Sequence, residues 1–219
     1  MSAPKVVAID GPAGSGKSTL ARGLARALGL PYVNTGLMYR ALTADAIAHG
    51  VSPEDEDGLL ALTSRSRFRL AGHDPRELQV EGSTAEALVD PTVERTVSAV
   101  AAQPRVRVWM RDAQRALGAD GAVMEGRDIG SVVFPDARVK IYLEAHLDRR
   151  GDRRAEERAE RVAREVAAAL AARDERDART NPFAPAPGAD VIDTGDLDAA
   201  RTLQAALELI GERAPELLR

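Results

Sequence analysis

Near the start of the chain, Val6-Val7-Ala8-Ile9-Asp10 runs into Gly11-Pro12-Ala13-Gly14-Ser15-Gly16-Lys17-Ser18-Thr19. This fits the G-x-x-x-x-G-K-[ST] pattern with an apolar strand before it and helical spacing after it. Glycines at 11, 14 and 16 let successive amide N–H groups converge on one spot, where the positive end of the next helix adds its field. Such a cradle takes a phosphate. Lys17 brings a mobile charge for the β- and γ-phosphates, and the Ser18 hydroxyl can ligate a bridging Mg²⁺, so a nucleoside triphosphate is the expected ligand.

In an open parallel sheet, ligands bind beyond the carboxyl ends of the strands. That rule selects Asn34-Thr35-Gly36 with Tyr39 and Arg40, then Glu125-Gly126-Arg127-Asp128, then the arginines after Leu143. Glu125 either holds a water on the metal or is satisfied by local backbone N–H groups. Arg149, Arg150, Arg153 and Arg154 form either a solvated charged face or a closing lid that stabilises the moving phosphoryl group. Arg173, Asp177 and Arg179 read on spacing alone as surface charge with helical pairing. His49, His73 and His146 read as surface or turn residues, and Phe68 and Trp109 as core packing.

The elements that must position these groups follow from periodicity. Leu20, Leu24 and Leu28 mark a helix ended by Gly29-Leu30-Pro31. Tyr32-Val33-Asn34 is a short strand, and Thr35-Gly36 is expected to cap a helix reaching Gly50. Ser52-Pro53-Glu54-Asp55 is read as a helix start with serine as cap. Phe68, Leu70, Leu78 and Val80 alternate about Gly72-His73-Asp74-Pro75, which predicts an antiparallel hairpin forming a small substrate-contacting lobe. Thr84 to Leu117 is expected to be helical, broken by Pro91 and Pro104. Ala122–Glu125, Val139–Leu143 and Asp190–Asp193 complete five parallel strands. A charged helix from Arg153 to Asp177 with Val162, Val166 and Leu170 as its stripe, and a last helix carrying Leu197, Ala200, Leu203, Leu207 and Ile210, fill the remainder. The piece from Asn181 to Pro187 reads as a loop.

The 219 residues, 44% of them hydrophobic, suffice for one core. The expected architecture is a three-layer α/β P-loop fold with a five-stranded parallel sheet, in a single domain. Its core spans about 1–58, 118–145 and 188–219, with an insertion over about 59–117 and a lid over about 146–180. A net charge of −4 gives no reason to expect nucleic acid or an anionic membrane as a partner. Zero cysteines exclude disulfides and thiolate metal sites. With no leader or bilayer-length apolar run in view, a soluble, cytoplasmic monomer is expected.

Together these motifs carry a resemblance. The chain is similar to the bacterial cytidylate kinases, a nucleoside monophosphate kinase family, in Ile9 to Thr19, in Thr35-Gly36-Leu37-Met38-Tyr39-Arg40, and in Ser98 followed by Pro104-Arg105-Val106-Arg107. The likeness continues in Glu125-Gly126-Arg127-Asp128-Ile129-Gly130 with Val133-Phe134-Pro135, and in Arg173-Asp174-Glu175-Arg176-Asp177. It implies transfer of the ATP γ-phosphoryl group to CMP or dCMP with Mg²⁺. It also implies that Arg40 and Arg127 clamp the acceptor phosphate, that Ser98, Arg107 and Asp128 read cytosine, and that Arg173 and Asp177 hold the sugar hydroxyls. The family usually carries another arginine where this chain has Thr180, so Arg179 is the expected substitute. Asn34-Thr35 stands where aspartate-serine is common, and Glu125 where aspartate is frequent. The rival readings are another small-molecule P-loop kinase, acting for instance on shikimate, and a nucleotide-dependent switch.

Overall fold

A computed structural model describes residues 5–65, 67–144, 163–180, 184–195 and 197–218. Strand β1 (Val6–Asp10) is buried along its whole length because it lies mid-sheet, parallel to both neighbours and covered on both faces. Val6 and Ala8 join one apolar cluster, Val7 and Ile9 the other. The remaining strands are β2 (Tyr32–Asn34), β3 (Arg67–Ala71), β4 (Glu77–Glu81), β5 (Ala122–Gly126), β6 (Val139–Glu144) and β7 (Asp190–Asp193), in the order β3-β4-β2-β5-β1-β6-β7.

The sheet therefore has seven strands, not the five expected. The expected antiparallel hairpin forms, with Phe68 opposite Val80 and Leu70 opposite Leu78. Rather than standing apart as a lobe, it extends the main sheet, β4 lying parallel to β2 at Tyr32 and Glu77. Strand β2 has only three residues and pairs with β5 on one edge and β4 on the other. The Tyr32 N–H donates to the Arg76 carbonyl at 2.8 Å, and Arg22 bonds Glu77 at 2.8 Å while lying 5.0 Å from the Tyr32 ring centroid. On the other side the hairpin packs Phe68 against Trp109, ring centroids 5.9 Å apart, so both aromatics serve the core.

Helix α1 (Lys17–Leu28) ends as its sequence dictates: Gly29 at φ 63° donates to the Arg26 carbonyl, and Leu30 to that of Ala25. Two caps differ from expectation. In α2 (Thr35–Ala48) Thr35 is already helical, and its hydroxyl donates at 2.7 Å to the Glu125 carbonyl instead of capping. Helix α3 (Glu56–Thr63) is capped by Asp55, which accepts from the Gly58 N–H at 3.0 Å, while Ser52 to Asp55 forms a turn. An aspartate followed by Glu56 and Asp57 meets the positive helix end better than serine does.

Past the short α4 (Ala85–Leu88), helices α5 (Pro91–Ala102) and α6 (Pro104–Leu117) each begin on the proline that breaks the pattern. A π-helical turn, Ile129–Val133, follows β5. Helix α7 (Ala163–Thr180) falls within the stretch expected to be a charged helix and runs past Asp177, and α8 (Ala199–Arg213) buries Thr202, Ala206 and Ile210. The arginines at 149, 150, 153 and 154, together with His146 and Val162, lie outside the described residues. Among the described residues no helix is long and apolar enough to cross a membrane.

Candidate active site

The carboxyl ends of β1, β2 and β5 open onto one cavity, which α5, α6 and α7 enclose. In the loop after β1, Gly14 and Gly16 hold φ of 73° and 91°, and a Cβ on Gly11 would meet the Leu143 carbonyl oxygen at 2.4 Å. Only glycine fits that approach. Lys17 is buried, and its ammonium donates to the Pro12 carbonyl at 2.5 Å. Burial first, then the Arg127 charge, pushes its pKa down to about 7, against the pull of Glu125.

Glu125 is 3% exposed, and its carboxylate is met by side chains from two other elements rather than by local backbone. The Ser18 hydroxyl donates to it at 3.1 Å and the Tyr32 phenol to its other oxygen. Burial and the Glu125 charge push the Tyr32 pKa well up, so the phenol stays a donor. A hydroxyl beside a carboxylate is a hard-oxygen pair of the kind Mg²⁺ takes while keeping waters and phosphates as its other ligands. Among the described residues no cluster of three or more His, Cys, Asp or Glu is positioned for a metal.

Arg127 spans two elements. Its Nη1 donates to the Gly11 carbonyl at 2.6 Å, while Nε and Nη2 reach Asp177 on α7 at 3.3 and 3.2 Å. The Ser98 hydroxyl donates to the other Asp177 oxygen at 2.6 Å. Arg107 pairs directly with Asp128 across the cavity wall, and its Nη1 bonds the Ala101 carbonyl at 3.3 Å. Arg173 faces Glu94 at 3.5 Å and Asp177 at 3.8 Å, its pKa pushed down to about 10 by burial and then by Arg40 and Arg127. Burial pushes Tyr39 up to about 12. Lys17, Arg40, Arg127 and Arg173 thus concentrate positive charge in one partly desolvated space, which favours a phosphorylated ligand.

Ala13, Gly14, Lys17, Ser18, Thr35, Tyr39, Arg40, Ser98, Arg107, Glu125, Arg127, Asp128, Arg173 and Asp177 all line that cavity. Ser15, Gly16 and Thr19 line a neighbouring groove behind the loop, with Thr194 and Asp198. Gly11 and Pro12 contribute carbonyls that fix Arg127 and Lys17. Among the described residues, those of the hairpin do not line this cavity. Arg179 is not brought in either: it is exposed and paired with Glu175 at 2.9 Å. Its side chain points off the face that carries Arg173 and Asp177, because helical phase offsets it by two residues from Asp177.

Several contributors were missed by pattern alone. Asp10 accepts from the Ile129 and Gly130 N–H groups, both at 2.8 Å, and so holds the loop carrying Arg127 and Asp128 against β1. Its pKa is raised to about 6 by burial, which these two bonds oppose. Tyr32 orients Glu125, Asp174 accepts from the Ala13 N–H at 3.2 Å, and the Thr194 hydroxyl donates to the Ser15 carbonyl at 3.2 Å. The only signal for Asp10 is a carboxylate ending a fully buried strand; Tyr32 and Thr194 carry none.

Fold and site together define a P-loop kinase: an amide cradle with a buried lysine, facing a guanidinium cluster across one sheet. The chain belongs to the cytidylate kinase family, whose model matches residues 7–212. It is 41% identical over 220 residues to a cytidylate kinase from Granulibacter bethesdensis, covering 96% of this chain and 98% of that one. A cytidylate kinase from Acidiphilium cryptum is 42% identical over 221 residues, covering 97% and 98%. A bifunctional pantoate ligase/cytidylate kinase from Synechococcus sp. is 41% identical over 207 residues, 89% of this chain and 38% of that longer protein. Membership makes the chain a nucleotide kinase.

Proposed function

We propose that the enzyme moves the γ-phosphoryl group of ATP to CMP or dCMP, giving ADP and CDP or dCDP. The carrying observation is that Lys17 and Ser18 line the same cavity as Arg40, Arg127 and the Arg107–Asp128 pair. Donor and acceptor can meet in line there without a covalent intermediate. The attacking phosphate oxygen is already ionised, so no general base is required. Lys17 and the loop amides hold the β- and γ-phosphates, and Arg40 and Arg127 grip the acceptor phosphate in planar, forked geometry. Ser18 and Glu125 would hold Mg²⁺, whose charge offsets that of the phosphates. Asp128 accepts from the cytosine amine and Arg107 donates to the ring acceptors; uracil lacks the amine and leaves Asp128 unsatisfied. Asp177 and Arg173 take the sugar hydroxyls, with Ser98 beside them.

Residues from about 59 to 117 supply the acceptor-side helices of a single domain. On sequence grounds Arg150, Arg153 and Arg154 close over the reacting phosphates to exclude water. The absence of cysteine supports a cytoplasmic setting. A coupled ADP-release assay over CMP, dCMP, UMP, AMP and shikimate tests the reading. It predicts turnover with the two cytidine nucleotides and little with the others. ADP release independent of any acceptor would make the protein a switch, and turnover led by another acceptor would reassign the substrate.

A further inference from the structure

Leu170, Asp174 and Asp177 fall at i, i+4 and i+7 on α7, on one helical face. Each touches the donor loop or a group that grips it. Leu170 packs with Ala13, Asp174 accepts from the Ala13 N–H at 3.2 Å, and Asp177 bonds Arg127, which in turn donates to the Gly11 carbonyl. The same helix faces α5 through Arg173 to Glu94 and Asp177 to Ser98, on the acceptor side. Asp174 is 9% exposed. A carboxylate buried this deeply beside a phosphate cradle opposes incoming anions, so its presence there calls for a positional return.

We propose that Asp174 is a positioning residue that locks the registry between the phosphate loop and the acceptor-binding helix, so that occupancy of one nucleotide site tightens the other. Leu170 alone could slide along the loop, because an apolar contact has no direction, whereas the Asp174 carboxylate bonded to the Ala13 N–H fixes α7 along its axis. Acceptor groups that pull on Arg173 and Asp177 then bear on Ala13 through one rigid turn of helix. The inference rests on the acceptor reading given above for Arg173 and Asp177.

The test is calorimetric binding of a non-hydrolysable ATP analogue to the full chain, with and without CMP, alongside CMP phosphorylation. In the wild type, CMP should tighten the analogue roughly fivefold or more, a usual size for coupling between sites. Asp174→Asn keeps an acceptor oxygen and should preserve that ratio within about twofold. Asp174→Ala should bring it to about 1 and lower kcat at least about tenfold, while each ligand alone binds within about threefold of wild type. A residue needed only for folding would lower the melting temperature without separating the two variants in coupling. Should Asp174→Ala fail to fold, Asp174→Ser, too short to reach the amide, must lose the coupling in its place. Coupling that survives Asp174→Ala or Asp174→Ser, or a wild type that phosphorylates CMP without coupling, overturns the role of Asp174 and leaves the substrate reading intact. A wild type with no affinity for CMP overturns both.

Discussion

Lys17 carries the clearest signed pH dependence. In the folded chain burial and then Arg127 push its pKa down to about 7, against about 10.5 for an unburied lysine. Between those values the unfolded chain binds one more proton than the folded one, so this residue makes the protein more stable as pH rises through 7. Below 7 the folded state bears the cost of a buried charge. A nucleotide supplies the missing counter-charge and returns the proton. Binding of ADP at pH 8 should therefore take up a fraction of a proton, read as a dependence of binding enthalpy on buffer ionisation heat, and Lys17→Met should abolish it. Buffer-independent heats in the wild type would contradict this assignment. Base choice is equally local: Arg107→Ala should erase the preference for CMP over UMP. Asp128→Asn, which can donate to the uracil O4, should narrow that preference by about 1–3 kcal/mol, roughly tenfold to a hundredfold in relative kcat/KM. Full CMP selectivity in Arg107→Ala would remove that residue from cytosine reading.

At the scale of elements, two glycines separate fold from site. Gly29 ends α1 at φ 63° with open space where a Cβ would stand, so Gly29→Ala should cost only the conformational strain, about 1–2 kcal/mol in denaturant melts, with activity retained. Gly11→Ala drives a Cβ into the Leu143 carbonyl and should abolish nucleotide binding even where the protein folds. The central elements were legible because their cause is local: a glycine spacing, a helix period, an apolar run buried on both faces. The hairpin strands were legible for the same reason, but their place was not. Which strand accepts β4 is set by the Tyr32 N–H bonding the Arg76 carbonyl and by Arg22 reaching Glu77, and neither leaves a periodic trace. Caps failed where two groups competed for one helix end, as at Ser52 and Asp55, or where a hydroxyl found a better distant acceptor, as Thr35 did. Arg179 shows the same limit: counting places an arginine near the missing family position, while helical phase decides where it points.

Over the whole molecule, one sheet sets two anion-binding regions against each other, and three carboxylates keep the cations between them apart. Glu125, Asp174 and Asp177 lie among Lys17, Arg127 and Arg173, each bonded to the loop, to a cation or to a hydroxyl. Without them, these like charges in one cavity would repel by several kcal/mol in a medium less polar than water. The residues that carry the family resemblance are therefore distributed over α1, α2, α5, α6, β5 and α7 and the loops beside them, and their proximity exists only after folding. The most direct measurement of this arrangement is inhibition by adenosine and cytidine joined 5′ to 5′ through five phosphates. If both regions share one cavity, this compound competes with ATP and with CMP alike. It also binds at least about a hundredfold tighter than either nucleotide, because the second contact becomes intramolecular. Competition against ATP alone, at the affinity of a simple mononucleotide, would contradict the account.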